Sequence, residues 1–269
     1  MLASVLALAL LVASLVPTDP PSPLTEAVSS RPLSSLALRL QREPAAIARD
    51  EARRPASIFG LPAADARMLL IAVDRQRPLP DGYTPPDLVW VGGRQVRSLM
   101  RADLLAMIAS ASAERVELAP ISAYRSPDQQ ELAFESAVWG AMARGATDRT
   151  EAENRSARYV APPGRSQHQL GTAVDFSTWE INYAIQPAFA ETGAGTWLAQ
   201  HGWEFGFVLP YPSNGEERTG YAYEPWHWRW IGRELAAVMQ RDAYLGHPTL
   251  IADDYLRAAE EILTAEGLP

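Results

Sequence analysis

The chain contains no cysteine, and this absence limits both how it can be held together and how it can bind metal. Disulfide bonds, thiolate metal sites, a cysteine nucleophile and a lipid-modified cysteine are all excluded. The fold must therefore be held by a hydrophobic core, for which 269 residues with 47% apolar side chains are sufficient. Any metal site has to use histidine and carboxylate ligands.

The N-terminal region differs from the rest of the chain in composition. Residues 2–16 form an apolar run rich in leucine and alanine, and four prolines follow within residues 17–23. This order is typical of an export signal or a short membrane anchor, although no basic residue precedes the run. We assign residues 1–23 to such a signal or anchor and residues 24–60 to a linker. The expected location is therefore extracytoplasmic.

The rest of the chain predicts one domain of mixed helices and strands over residues 61–245, followed by a C-terminal helical extension over residues 246–269. Residues 117–124 and 172–176 have the composition of strands. The polar segment 144–158 is predicted to be a loop. The pattern indicates an α+β fold.

Helices are predicted where apolar residues recur at intervals of three and four. Residues 99–113 fit this pattern, and a second helix is expected from Pro127 to Met142 because proline and an acidic residue suit a first helical turn. The first of these helices is expected to bury Leu104, Leu105, Met107 and Ile108. The C-terminal extension is expected to bury Tyr255, Leu256, Ala259 and Ile262.

The charge of the chain excludes some partners. A net charge of −8 and a pI near 5.1 oppose binding to nucleic acid or to an anionic membrane surface, since both require a concentrated basic patch. We expect no nucleic-acid partner, and membrane contact only through the possible N-terminal anchor.

Two of the four histidines lie in unusual polar and glycine-rich settings. His168 is followed by Asp175, and His227 follows Glu224 and Pro225. A catalytic zinc site uses about three neutral or anionic protein ligands and keeps one position open for water. His168, Asp175 and His227 form an adequate ligand set and leave Glu224 free as a base.

Pro225 constrains how Glu224 is presented. Proline is disfavoured inside a helix, so the Glu224–His227 segment is expected to be extended. On such a segment the Glu224 carboxylate can take a proton from the attacking water and return it to the leaving amine.

Two motifs carry a resemblance to a known family. The first, SQHQLGTAVD, covers residues 166–175, and the second, EPWH, covers residues 224–227. Both are similar to the signatures of VanY-type D-alanyl-D-alanine carboxypeptidases, within the wider lysostaphin-like metallopeptidase group. The resemblance extends over about residues 65–245 and includes the sequence SAYRS at 122–126. It departs at residues 210–212, where Pro-Tyr-Pro replaces the usual Arg-Tyr-Pro.

The resemblance implies a single α+β zinc-peptidase domain whose small antiparallel sheet carries the metal site between flanking helices. It implies one Zn²⁺ held by His168, Asp175 and His227, with Glu224 as catalytic base. By the same resemblance Arg125 stabilises the oxyanion or orients the substrate carbonyl, a role that suits a fixed guanidinium in a dry cleft. The residues implied to hold the peptide end are Ser166, Tyr124 and Gln130.

We therefore expect a monomeric zinc metallocarboxypeptidase, independent of any serine nucleophile, that removes the terminal D-alanine from peptidoglycan pentapeptide stems. Two alternatives use the same fold: an L,D-carboxypeptidase acting on tetrapeptide stems, and a non-catalytic module that binds the cell wall. A cytosolic D,D-dipeptidase is a third, which the apolar N-terminus disfavours. The intact Glu224 argues against the non-catalytic module.

Overall fold

The structure is a computed structural model that describes residues 57–58, 61–244 and 251–265. The export signal or anchor predicted over 1–23 and nearly all of the 24–60 linker lie outside these residues. No helix in the described part of the chain is long and apolar enough to cross a membrane. The domain boundaries drawn from the sequence stay predictions.

Eight helices are present in the described residues. Ordered along the chain, they are α1 (Ala63–Leu70), α2 (Arg101–Ala113), α3 (Pro127–Ala143), α4 (Arg149–Ser156), α5 (Gly193–His201), α6 (Glu216–Thr219), α7 (Arg233–Tyr244) and α8 (Ala252–Ala265). Short 3-10 helices lie between them, at Ser98–Met100, Gln167–Leu170, Trp179–Ile181, Pro187–Glu191 and Gly202–Phe205.

Eight strands in the same residues form three antiparallel sheets. They are β1 (Ser57–Ile58), β2 (Leu61–Pro62), β3 (Leu88–Val91), β4 (Arg94–Arg97), β5 (Ala119–Ser122), β6 (Ala173–Ser177), β7 (Phe207–Val208) and β8 (His227–Trp230). β1 pairs with β2, β3 pairs with β4, and the other four form one sheet in the order β5-β6-β8-β7. This mixture of helices with small antiparallel sheets confirms the α+β prediction.

The four-stranded sheet fixes the position of two residues of the candidate site. β6 and β8 run antiparallel, and Asp175 on β6 stands directly opposite His227 on β8. On the other side of β6, Asp175 is paired with Ser122 of β5. Directly opposed residues in an antiparallel pair have Cβ atoms about 4.5–5.5 Å apart, so the backbone itself brings the two side chains together.

One hydrophobic cluster joins this sheet to α1, α2, α5, α7 and α8. In α2, Leu104, Met107 and Ala111 are buried, whereas Leu105 is 40% exposed. The prediction that Leu105 belongs to the buried face is wrong, because the buried side follows the i, i+3, i+7 row through Leu104. The C-terminal helix buries all four predicted residues: Tyr255, Leu256, Ala259 and Ile262.

The start of α3 follows the sequence signals. Ser126 caps the helix by accepting a hydrogen bond from the Gln129 amide, and the Gln129 side chain accepts one from the Ser126 amide, which completes a capping box. Pro127 occupies the first turn, where its missing N–H costs nothing. The helix predicted from Pro127 to Met142 is confirmed and is one residue longer.

The loop predicted over residues 144–158 is wrong, because α4 lies within it. Asp148 caps α4 by accepting a hydrogen bond from the Glu151 amide at 2.8 Å. Ala152 and Ser156 are buried on one side of this polar helix, in a region where a second small hydrophobic cluster joins α3 to α4. The Asp148 cap and the burial of one side of the helix are therefore enough to fold a segment whose composition indicates a loop.

Candidate active site

His168 lies on the 3-10 helix Gln167–Leu170, between β5 and β6. Ser166 caps this helix by accepting a hydrogen bond from the His168 amide. Gly171 ends it in the left-handed region, with φ of 71°. A Cβ atom on Gly171 would lie 3.1 Å from Leu88 and 3.3 Å from Arg97. Only glycine therefore fits this tight exit, which fixes the direction in which His168 points.

The structure brings His168, Asp175 and His227 together. One ligand atom from each of these buried residues lies within 4.8 Å of the other two. His168 Nε2 is 3.2 Å from Asp175 Oδ2, and His227 Nδ1 is 3.0 Å from Asp175 Oδ1. The two histidine nitrogens are 3.1 Å apart. Two histidines and one carboxylate at these separations can hold a divalent cation such as zinc.

In both histidines, the ring nitrogen that points away from the cluster, here called the outer nitrogen, already makes a hydrogen bond. His168 Nδ1 donates a hydrogen bond to the carbonyl oxygen of Ala123 at 2.7 Å, and His227 Nε2 donates to Gln167 Oε1 at 3.2 Å. In a neutral imidazole only one nitrogen carries a proton. The inner nitrogens, His168 Nε2 and His227 Nδ1, therefore present lone pairs toward the same point as the Asp175 carboxylate. This is the arrangement of metal-ligating histidines oriented by outer hydrogen bonds, so the donor set fits a metal ion.

Electrostatics favour the forms that bind a cation. Burial, assisted by the positive charge of Arg125, lowers the pKa of His168 to about 4, so this side chain is neutral at pH 7. Burial alone would raise the pKa of Asp175. When the two histidines are protonated, their charges and hydrogen bonds outweigh burial and hold the pKa of Asp175 well below its usual range, so Asp175 stays a carboxylate.

Glu224 lies beside this cluster on the turn that leads into β8. The His227 amide donates to the Glu224 carbonyl at 3.0 Å, so a tight turn through Pro225 ties Glu224 to His227. Pro225 keeps the segment out of a helix, as predicted, but the prediction of an extended segment is wrong, because residues 225–226 form a turn before β8 begins at His227. Burial, followed by the negative charge of Asp175, raises the pKa of the Glu224 carboxyl well above its usual range. Beside a bound cation this pKa would be lower.

Arg125 faces the same cleft from the other side of the cluster. Its Nη2 atom lies 4.0 Å from Asp175 Oδ2, and its side chain is 27% exposed. Its Nε atom has no hydrogen-bond partner among the described residues. Burial lowers the pKa of Arg125, yet arginine stays charged at any physiological pH. The guanidinium is therefore a charged donor with unused capacity next to Glu224 and Asp175.

Of the predicted site residues, six line one cleft and two do not. The six are Arg125, Ser166, His168, Asp175, Glu224 and His227. Tyr124 is not among the lining residues. Gln130 is fully buried, and its amide nitrogen donates to the carbonyl oxygen of Ala161, which does line the cleft. Gln130 is placed to support the cleft wall from behind.

Two further residues of the site were not predicted from the sequence. Gln167, which belongs to the first motif, orients the His227 ring through a hydrogen bond. Its position between Ser166 and His168 is the only feature of the sequence that indicates this role. Tyr211 stacks on the His227 ring, with centroids 5.1 Å apart, and lies between the two prolines of the departing 210–212 segment. No local pattern indicates that this tyrosine reaches the ring.

Comparison with known proteins agrees with this geometry. The family model described as VanY: D-alanyl-D-alanine carboxypeptidase matches residues 93–233, which is more than half of the chain. The chain belongs to the VanY family. A D-alanyl-D-alanine carboxypeptidase of Enterococcus faecalis (strain ATCC 700802 / V583) is 30% identical over 187 residues, covering 70% of this VanY-family chain and 65% of that protein. The chain thus spans just under two thirds of this relative.

Solved structures of similar proteins include a vancomycin-resistance D,D-pentapeptidase VanY mutant in complex with Zn(II). It is 30% identical to this VanY-family chain, with a TM-score of 0.59, and 70% of this chain and 99% of that one are covered. The LdcB LD-carboxypeptidase, described in connection with peptidoglycan recognition, is 31% identical with a TM-score of 0.60. In that comparison 75% of this chain and 92% of LdcB are covered.

Proposed function

We propose that this chain is a zinc-dependent D-alanyl-D-alanine carboxypeptidase that removes the terminal D-alanine from peptidoglycan pentapeptide stems. One observation carries the proposal: three buried ligand atoms, from His168, Asp175 and His227, converge within 4.8 Å beside the Glu224 carboxyl group. Membership of the VanY family supports the substrate class.

His168, Asp175 and His227 would hold one zinc ion. When bound, zinc lowers the pKa of a coordinated water and polarises the carbonyl group that is attacked. The Zn(II) complex of the similar VanY structure supports this choice of metal. His168 is kept neutral by its lowered pKa, and both rings are held by their outer hydrogen bonds to Ala123 and Gln167.

Glu224 acts as the general base. Its carboxylate takes a proton from the attacking water and then delivers that proton to the amine of the departing D-alanine. Burial raises the pKa of this carboxyl group and a bound cation would lower it, so the cation favours the carboxylate form that accepts the proton.

Arg125 and Ser166 would act on the substrate directly. The guanidinium of Arg125 stabilises the negative charge that develops on the carbonyl oxygen, or orients that carbonyl, because its Nε donor has no partner among the described residues. Ser166 lines the cleft next to His168 and can contact the peptide end. The substrate-binding roles of Tyr124 and Gln130 stay predictions, with Gln130 positioned to act through the Ala161 carbonyl.

Removal of the last residue from a tetrapeptide stem is the second candidate function. The LdcB LD-carboxypeptidase is as similar to this chain as the VanY structures are, which supports an L,D-specific enzyme with the same catalytic group. The peptidoglycan substrate and the apolar run at residues 2–16 together support an extracytoplasmic enzyme.

Mass-spectrometric analysis of products separates the candidates. Zinc-loaded protein is incubated with pentapeptide and tetrapeptide muropeptides, with and without chelator. Loss of one alanine from the pentapeptide, abolished by chelator, is the expected result. Loss from the tetrapeptide alone would replace the D,D assignment with the L,D one. Absence of any product from folded, zinc-loaded protein would favour a non-catalytic wall-binding module.

A further inference from the structure

A second cavity lies beside the active-site cleft, between the C-terminal part of α3 and the end of α4. It has a volume of about 540 Å³, and two of its lining residues, Tyr159 and Val160, also line the cleft. These two residues border both spaces. A peptide that leaves the cleft across them therefore enters the second cavity.

The second cavity combines an apolar wall with three arginines. Ala137 and Ala141 contribute apolar surface, and the guanidinium-bearing side chains are Arg144, Arg155 and Arg158. A concentration of positive charge is unusual in a chain with a net charge of −8.

Only two of these three arginines have carboxylate partners. Arg155 pairs with Glu151, and Arg158 Nε donates to Glu216 at 2.7 Å. Arg144 makes no ion pair or side-chain hydrogen bond within the described part of the chain. The positive charge of Arg144 is therefore not paired with any carboxylate among the described residues. The two existing pairs are between partly exposed residues and contribute little stability, so their guanidinium groups can also turn to a ligand.

A buried hydroxyl group without a partner in the described part of the chain lies in the wall of the same cavity. Ser156 lines the cavity and is only 6% exposed, yet its Oγ atom has no hydrogen-bond partner among the described residues. A buried polar atom without a partner carries a free-energy cost that a bound group can remove. The Ser156 Oγ atom is not accessible from the cavity and becomes available only if the wall shifts, so the suitability of the cavity for a negatively charged acceptor rests on the three arginines, which only donate.

We propose that this cavity, here called the arginine subsite and formed by Arg144, Arg155, Ser156 and Arg158, binds a carboxylate of the substrate peptide on the N-terminal side of the scissile bond. The inference rests on the proposed function, because a carboxypeptidase holds the C-terminal residue at the metal and leaves the rest of the peptide to extend outward. The apolar wall accommodates the side-chain carbon atoms that carry the carboxylate, and Arg144 supplies the charge that the protein leaves unpaired.

Binding is measured by isothermal titration calorimetry in zinc-loaded Glu224→Gln protein, so that the peptides stay intact. The probes are two pentapeptides ending in D-Ala-D-Ala that differ only in whether a glutamyl α-carboxyl group is free or amidated. We expect the free acid to bind about 5- to 20-fold more tightly than the amide. Adding Arg144→Gln should reduce this ratio to below about 2-fold, whereas Arg144→Glu should invert it.

Arg101→Gln is the matched control. It removes the same charge from an exposed arginine on α2 that lines neither space, and it should leave the ratio unchanged. Equal binding of the two peptides to the parent protein, or a preference that survives Arg144→Gln, would overturn the subsite and leave the proposed function standing. Competition by inorganic phosphate as effective as that by the peptide would show a general anion site and overturn the assignment to substrate. Failure of both peptides to bind would overturn the subsite and the proposed function together.

Discussion

The Nε2 atom of His168 and the Nδ1 atom of His227 lie 3.1 Å apart, although neither has a proton to share when both rings are neutral. The opposite nitrogen of each ring donates outward, to the Ala123 carbonyl and to the Gln167 side chain. Two lone pairs therefore face each other within a buried cleft. A cation between them would relieve this repulsion, so metal binding and stability are expected to be closely linked in this protein.

Gln167→Ala is expected to weaken zinc binding by about 10- to 100-fold, because the variant removes the group that fixes the orientation of His227. Zinc affinity measured by competition with a chromogenic chelator tests this. The control is Gln186→Ala, which truncates an exposed glutamine outside the cleft. Equal zinc affinity of the two variants would contradict a role for Gln167 in orienting the ligand.

Glu224→Gln is expected to keep bound zinc and to lose about 10²- to 10⁴-fold in kcat, because an amide cannot accept the proton of the attacking water. Zinc content by elemental analysis and hydrolysis of a D-Ala-D-Ala peptide are measured together. Glu217→Gln, at an exposed position on α6, serves as the control and should retain activity. Undiminished hydrolysis by Glu224→Gln would remove Glu224 from the mechanism.

In the metal-free protein, His168 is expected to lower stability as the pH falls from about 6.5 to 4, whereas the raised pKa of Glu224 acts in the opposite direction. His168 has its pKa lowered from 6.5 to about 4 in the folded state, so this side chain binds more protons in the unfolded chain in this interval, and its contribution to stability must rise with pH there. A tenfold change in a proton-binding constant corresponds to about 1.4 kcal/mol, so the lowered pKa changes the free energy of unfolding by up to about 3 kcal/mol. Urea unfolding in the presence of a chelator at several pH values measures it as the difference between the parent protein and His168→Asn, and this difference should grow as the pH rises from about 4 to 6.5.

Gly171→Ala is expected to destabilise the protein more than Gly93→Ala does. Both glycines have φ near +70°, but a Cβ atom on Gly93 meets open space, whereas one on Gly171 meets Leu88 and Arg97. The Gly93 variant therefore measures backbone strain alone, about 1–2 kcal/mol. If Gly171→Ala loses more stability than Gly93→Ala, as measured by urea unfolding, the difference reports the crowding of the added Cβ atom. Lower zinc affinity in the Gly171 variant alone would link that crowding to the placement of His168.

The sequence predicted well the features that depend on residues close together in the chain. The α+β class and the start of α3 at Pro127 were confirmed, because patterning and capping act locally. The approach of His168, Asp175 and His227 was also anticipated, since zinc chemistry and the two motifs demand it. Their direct pairing across β6 and β8 is what the structure adds.

Other features depend on contacts between distant segments, and the sequence did not reveal them. α4 was missed because its stability comes from the Asp148 cap and from burial of Ala152 and Ser156, while its composition is polar. Tyr211 was missed because it reaches His227 only through the folding of a Pro-Tyr-Pro segment. The hydrogen bond from the Gln130 side chain to the Ala161 carbonyl joins residues 31 positions apart, so no local pattern indicates it, and the role of Gln130 toward substrate stays a prediction.

Because Asp175 and His227 are paired across β6 and β8, the distance between these two ligands does not depend on the length of the chain that connects them. Asp175 and His227 are held by hydrogen bonds between adjacent strands, while the chain between them contributes β7 to the same sheet and Glu224 to the site, and otherwise runs outside the sheet. Insertions, deletions and substitutions in the parts outside the sheet, which supply Ile185 and Tyr221 to the cleft, can reshape the entrance without moving the ligands. Evolution can thus change which peptide is admitted while the chemistry stays constant, and the same freedom is available to protein engineering.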